Sequence, residues 1–263
     1  MKKRIGAAAC LAALFLGMLS ACAEPEERPE VSRPSEAQVQ TQPQTAPTDV
    51  DEPGTKPTQP EPVGEDWYSD VLFIGDSRTV GLRDYARQGD ADYFCKVGMS
   101  MFDYQAQELS DYGFSEQSLR SLLASKTYGK IFVGLGVNDC GRGTEELMEA
   151  FDELVELLQK YQPNAVILLE AVIMVSEEVA NSNSVFNPQR IYAMNQGLSG
   201  MADGEKIFYI DANVVLADEL GYLQWRYTSD GVHFNQKGYE AWADWISLTV
   251  AKLGLSESGQ EGS

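Results

Sequence analysis

From about residue 70 onward, short continuous apolar runs alternate with stretches of helical periodicity. Val71-Leu72-Phe73-Ile74 is of the buried-strand kind, and a helical stretch follows from Thr79. Tyr93-Phe94-Cys95 is a second, weaker run; Lys130 to Leu135 is a third, Ala165 to Ile173 a fourth, and Ile207 to Ile210 a fifth. Between the third and fourth, Leu147, Phe151, Leu154, Val155 and Leu158 form one apolar stripe at helical spacing. Thr144 starts that helix, and Glu145 and Glu146 suit its electropositive N-terminus. A last helix, Gln236 to Leu253, carries Tyr239, Trp242, Ile246, Val250 and Leu253 on one face. Residues 174–190 carry no assigned element. Strands that are apolar throughout, alternating with helices, predict a parallel sheet covered on both faces.

The chain ahead of this pattern is different material. Met1-Lys2-Lys3-Arg4 is a positive n-region, and the run from Ile5 to Leu19 is too short for a comfortable membrane span of roughly 20 residues. It ends in Leu19-Ser20-Ala21-Cys22, which resembles a bacterial lipobox and implies cleavage before Cys22 and lipid on its thiol and new amino group. The alternatives are a plain secretory signal or an uncleaved anchor. Residues 22–65 hold nine of the 11 prolines, from Pro25 to Pro62, and no aromatic residue stands between Cys22 and Trp67. Such a segment buries too little apolar area to offset the entropy of ordering it, so it reads as a semi-stiff tether. The expected organisation is a leader over 1–21, a tether over 22–65, one domain over 66–255 and a flexible tail over 256–263.

The 263 residues carry Lys+Arg 20 against Asp+Glu 40, a formal charge of −20 that becomes −23 if the leader with Lys2, Lys3 and Arg4 is removed. That balance argues against nucleic acid and against docking on anionic lipid through a charged face. His233 is the one histidine, which rules out a multi-histidine metal site. No Cys-x-x-Cys or phosphate loop is present, so neither a metal nor a nucleotide cofactor is expected.

In open parallel sheets, sites form beyond the carboxyl ends of the strands. Gly75-Asp76-Ser77-Arg78-Thr79 follows the first strand, Gly136-Val137-Asn138-Asp139 the third, and Asp230-Gly231-Val232-His233 lies between the fifth and the last helix. Ser, His and Asp are the parts for acyl transfer: a hydroxyl needs a base to take its proton, and the base needs a carboxylate to set its tautomer. A serine at a helix start also has backbone N–H groups nearby to hold an oxyanion. Asp76 and Asp139 read as turn caps. Arg78 either holds an anionic substrate group or pairs with a carboxylate. Tyr222, Trp225 and Tyr227 either wall the site or pack. Cys95 and Cys140 are chemically able to pair after export, but spacing in the sequence does not decide it.

Taken together, Gly75-Asp76-Ser77, Gly136-Val137-Asn138-Asp139 and Asp230-Gly231-Val232-His233 resemble the first, third and fifth blocks of the SGNH (GDSL-type) hydrolase family, in order. Gly98, after the second strand, is the best match to the second block. The resemblance covers about Asp70 to Leu253. It implies a flavodoxin-like three-layer α/β/α sandwich with a five-stranded parallel sheet. It also implies Ser77 as nucleophile, His233 as base and then acid, and Asp230 as its orienting carboxylate. The oxyanion hole it implies comes from the Ser77 and Gly98 N–H groups and the Asn138 side-chain amide. Two departures stand out: Arg78 replaces the leucine of Gly-Asp-Ser-Leu, and no Gly-x-Ser-x-Gly elbow is present.

The expected function is a lipid-anchored extracytoplasmic serine esterase of a bacterial membrane, acting as a monomer on a small-molecule or glycan ester, with acetylated carbohydrate the leading substrate. A lipase, thioesterase or lysophospholipase-like esterase, an acyltransferase, and a non-catalytic binding lipoprotein are the alternatives. Arg78, Trp225 and Tyr227 are the candidate substrate contacts.

Overall fold

The computed structural model describes residues 60–103 and 118–256. The expected leader, the lipid site at Cys22, the tether up to residue 59 and the tail from 257 lie outside them. Ordered contacts start ahead of Asp66: the Val63 N–H donates to Ser247 O at 3.2 Å, and Val63 packs against the core.

Five strands form one parallel sheet: β1 Val71–Gly75, β2 Asp92–Cys95, β3 Lys130–Gly134, β4 Val166–Glu170 and β5 Ile207–Ile210. Their spatial order, β2-β1-β3-β4-β5, is the flavodoxin-like winding. Side chains alternate across the sheet, so each central strand feeds two cores. Leu72, Ile74, Ile131, Val133, Ile167 and Leu169 point to one face. Helices α2 Leu119–Ser125, α3 Thr144–Tyr161 and α5 Pro188–Gly200 cover it with Leu122, Phe151, Leu154 and Met194. Phe73, Phe132 and Leu168 point to the other face. There α1 Ser77–Tyr85 and α7 Gln236–Lys252 pack with Leu82, Trp242 and Ile246. This is why the strands read as unbroken apolar runs. No helix of the described residues is long and apolar enough to cross a membrane.

Four local differences have physical causes. Helix α1 begins at Ser77, two residues before the apolar pattern starts, because Asp76 caps it. Thr144 is the first helical residue of α3, but the capping position is Gly143, which offers no side chain. The fourth apolar run outlasts its strand: β4 stops at Glu170, and the buried residues after it give their backbone groups to side chains. Asn195 bonds both Val172 N and Val172 O at 2.8 and 2.9 Å, and Asn213 Oδ1, at the start of the short helix α6 Asn213–Leu216, accepts from Met174 N at 2.8 Å. Finally, α4 Glu177–Ser182 and the start of α5 occupy the unassigned stretch. Asn187 caps α5 and Pro188 opens it, a start signal legible in the sequence, with Ile191, Met194 and Leu198 buried at helical spacing.

Candidate active site

The carboxyl ends of β1 and β3 stand next to each other, with Gly75 paired to Gly134. A Cβ on Gly75 would overlap Thr79 Oγ1 and come within 2.9 Å of Gly134 O, so only glycine lets the chain turn here. Asp76 Oδ1 accepts the Arg78 N–H at 2.9 Å and starts α1. Burial pushes the Asp76 carboxyl up to about 6, an effect that nearby Arg78 only partly offsets. Ser77 is the first residue of the helix, beyond the carboxyl end of β1, where helix N–H groups lack intrahelical partners.

The loop before α7 brings the other two groups. Thr228 and Phe234 form an isolated antiparallel bridge that closes it, and Gly231 takes a left-handed φ of +81° that favours glycine. Asp230 Oδ1 accepts from the backbone of Val232 at 2.8 Å and His233 at 2.7 Å. Its second oxygen lies 2.7 Å from His233 Nδ1. His233 Nε2 in turn lies 2.9 Å from Ser77 Oγ. Partial burial works against ionisation of Asp230. The imidazole and the two N–H donors outweigh it and hold the carboxyl down to about 2. An ionised Asp230 can only accept, so it places the ring proton on Nδ1 and leaves the Nε2 lone pair facing the Ser77 hydroxyl. The site is open: the His233 and Asp230 side chains are 47% and 55% exposed.

The 138–139 turn clasps the loop after β2. Asn138 Nδ2 donates to Met99 O at 2.9 Å, and Asp139 Oδ2 accepts from Met101 N at 2.8 Å. Asn138 is exposed, and its amide keeps a second N–H. Gly98, next to Met99, has a φ of +74° and no atom within 4 Å of where a Cβ would stand. Asp139 is therefore more than a turn cap: it ties two strand-end loops together while buried, and burial raises its carboxyl.

Arg78 does not face a substrate. It is buried, with Nε donating to Val232 O at 3.0 Å and Nη1 to Ile173 O at 2.7 Å, and its guanidinium lies 5.3 Å from the Phe234 ring. It props up the histidine loop from below, because two carbonyls at chain turns need donors there. Tyr227 is half-buried, packs against the α7-side core and stacks under Arg226 at 4.6 Å. Trp225 is 85% exposed. It lines a cleft of about 530 Å³ with Asp230, Thr228, Ser176, Glu177, Glu178 and Asp218. Neither Tyr222 nor Tyr227 lines that cleft. Its α4 and Asp218 walls escaped the sequence reading because they come from the unassigned stretch and from a turn. Cys95 and Cys140 are both free and buried on opposite faces of the sheet, so no disulfide joins them. Burial pushes the Cys95 thiol up to about 12 and that of Cys140 to about 11.

A family model described as GDSL-like Lipase/Acylhydrolase family matches residues 73–241. Three solved structures share the fold. One, provisionally described as a platelet activating factor from Streptococcus pneumonia, is 21% identical with TM-score 0.55, covering 72% of this chain and 84% of that one. A GDSL-like lipase from Bacteroides thetaiotaomicron is 17% identical with TM-score 0.54, covering 70% and 89%. A carbohydrate esterase family 2 enzyme with a carbohydrate binding domain, from Corynascus thermopiles, is 17% identical with TM-score 0.50, covering 70% and 65%. No curated protein matches the sequence.

Proposed function

Because the chain belongs to the GDSL-like lipase/acylhydrolase family, we propose that it is a serine esterase that removes short acyl groups, foremost O-acetyl, from carbohydrate on the extracytoplasmic side of a bacterial membrane. The observation that carries the chemistry is the line Ser77 Oγ, His233 Nε2, His233 Nδ1, Asp230 Oδ2, with spacings of 2.9 and 2.7 Å. In this reading Ser77 attacks the acyl carbon as His233 takes its proton. The tetrahedral oxyanion is held by the Ser77 and Gly98 N–H groups and the free N–H of Asn138. His233 then protonates the leaving alcohol, and water, activated by the same ring, releases the acyl group from Ser77.

The open cleft beside Asp230, polar in lining and edged by Trp225, supports a sugar on the alcohol side, since an exposed indole offers an apolar face for stacking on a ring. The likeness to a carbohydrate esterase is in keeping with this. Acetate release from acetylated xylan and from O-acetylated peptidoglycan, set beside 4-nitrophenyl acetate, butyrate and octanoate, is the test. Ser77-dependent acetate release with preference for the shortest chain is expected. Preference for octanoate would make it a lipase, and silence on every ester would leave an acyltransferase or a binding protein.

The lipobox-like Leu19-Ser20-Ala21-Cys22 supports anchoring through lipid on Cys22. Radiolabelled palmitate is expected to enter the full-length chain and not its Cys22→Ala variant; labelling of both, or of neither, would remove the anchor.

A further inference from the structure

Glu170 is a buried carboxyl that the proposed chemistry does not use. It ends β4 one step beyond the Val133–Leu169 pair, level with Gly134 and Gly75 on the neighbouring strands, and opposite Ile210 on β5. All three positions share the face that carries Phe73, Phe132 and Leu168 further down the strands. The two glycines vacate the space that large side chains fill below. A Cβ on Gly134 would come within 2.7 Å of Glu170 Oε2 and 3.4 Å of Thr79 Oγ1. A small void of about 20 Å³, room for about one water, is lined by Glu170, Asp76, Arg78 and Trp242. Glu170 Oε1, Arg78 Nη2 and Trp242 Nε1 of its lining are buried without a hydrogen-bond partner, as is Thr79 Oγ1 beside Gly134. Each such atom is costly unless something satisfies it, so this polar patch beneath an apolar sheet end calls for a role.

Two of the residues in the patch lead directly to the site. Asp76 precedes Ser77 and caps its helix. Arg78 follows Ser77 and holds Val232 O, next to His233. We propose that Glu170 is a positioning residue for Ser77 and His233, acting through the void it shares with Asp76 and Arg78. The proposal rests on the reading of those two residues as the nucleophile and base.

The form that does this is the neutral acid. Burial, and after it the Asp76 charge, pushes the Glu170 carboxyl from 4.5 up to about 8. Asp76, at the head of α1, is the charged group that acts on it directly, with Arg78 and Trp242 of α7 lining the same void. Asp76 in turn feels His233 and Asp139, and Arg78 feels Cys140, Tyr239 and Asp230, while from β5 Glu170 meets Ile210. Ionised Glu170 would repel the Asp76 carboxylate and draw the Arg78 guanidinium away from Val232 O. Displacement of a reacting group by a fraction of an ångström is enough to slow attack.

The experiment follows the rate at which a fluorophosphonate labels the full-length protein, with Glu170→Gln as an uncharged mimic of the acid. The variant is expected to match wild type at about pH 6.5 and to exceed it roughly 5- to 10-fold at about pH 9. Its melting temperature should rise relative to wild type as pH increases. The stability linked to the Glu170 proton is complete below 4.5 and lost as pH passes through about 8. Glu170→Met, of similar size but without the carboxyl, is expected to label about tenfold more slowly than Glu170→Gln at every pH. A Gln-to-wild-type rate ratio that stays flat across this range, or a Met variant as fast as Glu170→Gln, overturns the proposal. Ser77→Ala is run alongside: labelling that survives it removes the site reading and this proposal together, whereas a flat ratio with unlabelled Ser77→Ala removes this proposal alone.

Discussion

Ser77→Ala is expected to lower kcat/KM by roughly 10⁴- to 10⁶-fold while the protein folds as before. The fold should not notice the change, because Asp76 rather than Ser77 caps α1, and among the described residues the Ser77 hydroxyl bonds His233. The chemistry should notice it fully, since the Ser77 hydroxyl is the group that the His233 ring faces through Nε2. His233→Ala is expected to fall within about tenfold of Ser77→Ala, and the double variant no lower than the worse single one, because the two act as a unit. Steady-state kinetics on 4-nitrophenyl acetate, with circular dichroism to confirm folding, reads this out. A Ser77→Ala enzyme with undiminished turnover would refute the acyl-enzyme mechanism.

Asp230→Asn should cost about 10²- to 10⁴-fold in kcat, less than loss of either partner. The amide oxygen can still accept the Val232 and His233 N–H bonds made by Oδ1, so the loop stays closed. What changes is the atom facing Nδ1. An amide N–H there favours the ring tautomer that carries its proton on Nε2, and the lone pair no longer points at Ser77. Asp230→Ala removes both functions and is expected to be slower still and less stable. If Asp230→Asn kept wild-type kcat, the 2.7 Å contact to Nδ1 would have no role in turnover. The pH dependence follows in sign from the depressed carboxyl. Whatever stability Asp230 adds is present above the ordinary aspartate value of about 3.9 and is lost as pH falls toward about 2. With a side chain more than half exposed, that contribution is small.

Much of this architecture was legible before any coordinates. Buried parallel strands must be apolar on both faces, so the runs at Val71, Lys130 and Ala165 could hardly have been anything else, and the α3 stripe has one period that fits. The candidate chemistry was legible in part: the serine follows β1 directly, and the lone histidine with an aspartate three residues before it stood out as a pair, although both lie well past β5 in the loop before α7 rather than at a strand end. The 174–190 stretch was not, since α4 is short and buries no side chain. The signal at Asn187-Pro188 was present but weak beside the apolar runs.

Arg78 and Glu170 mark the boundary between the two sources of information. The sequence by itself determined the layer order, the five strands and the three peptides that bear the site, because local periodicity and turn chemistry act over a few residues. Only the tertiary structure decided that Arg78 lies beneath the site rather than facing a substrate. It also placed Cys95 and Cys140 on opposite sides of the sheet and set Glu170 in one void with Asp76 and Arg78. Those outcomes depend on which carbonyls, carboxyls and ring faces are brought together from positions as far apart as Arg78 and Val232. A charged side chain in a short motif looks the same whether its partner is a substrate in water or a backbone carbonyl in the core; burial is what tells them apart, and burial belongs to the whole fold.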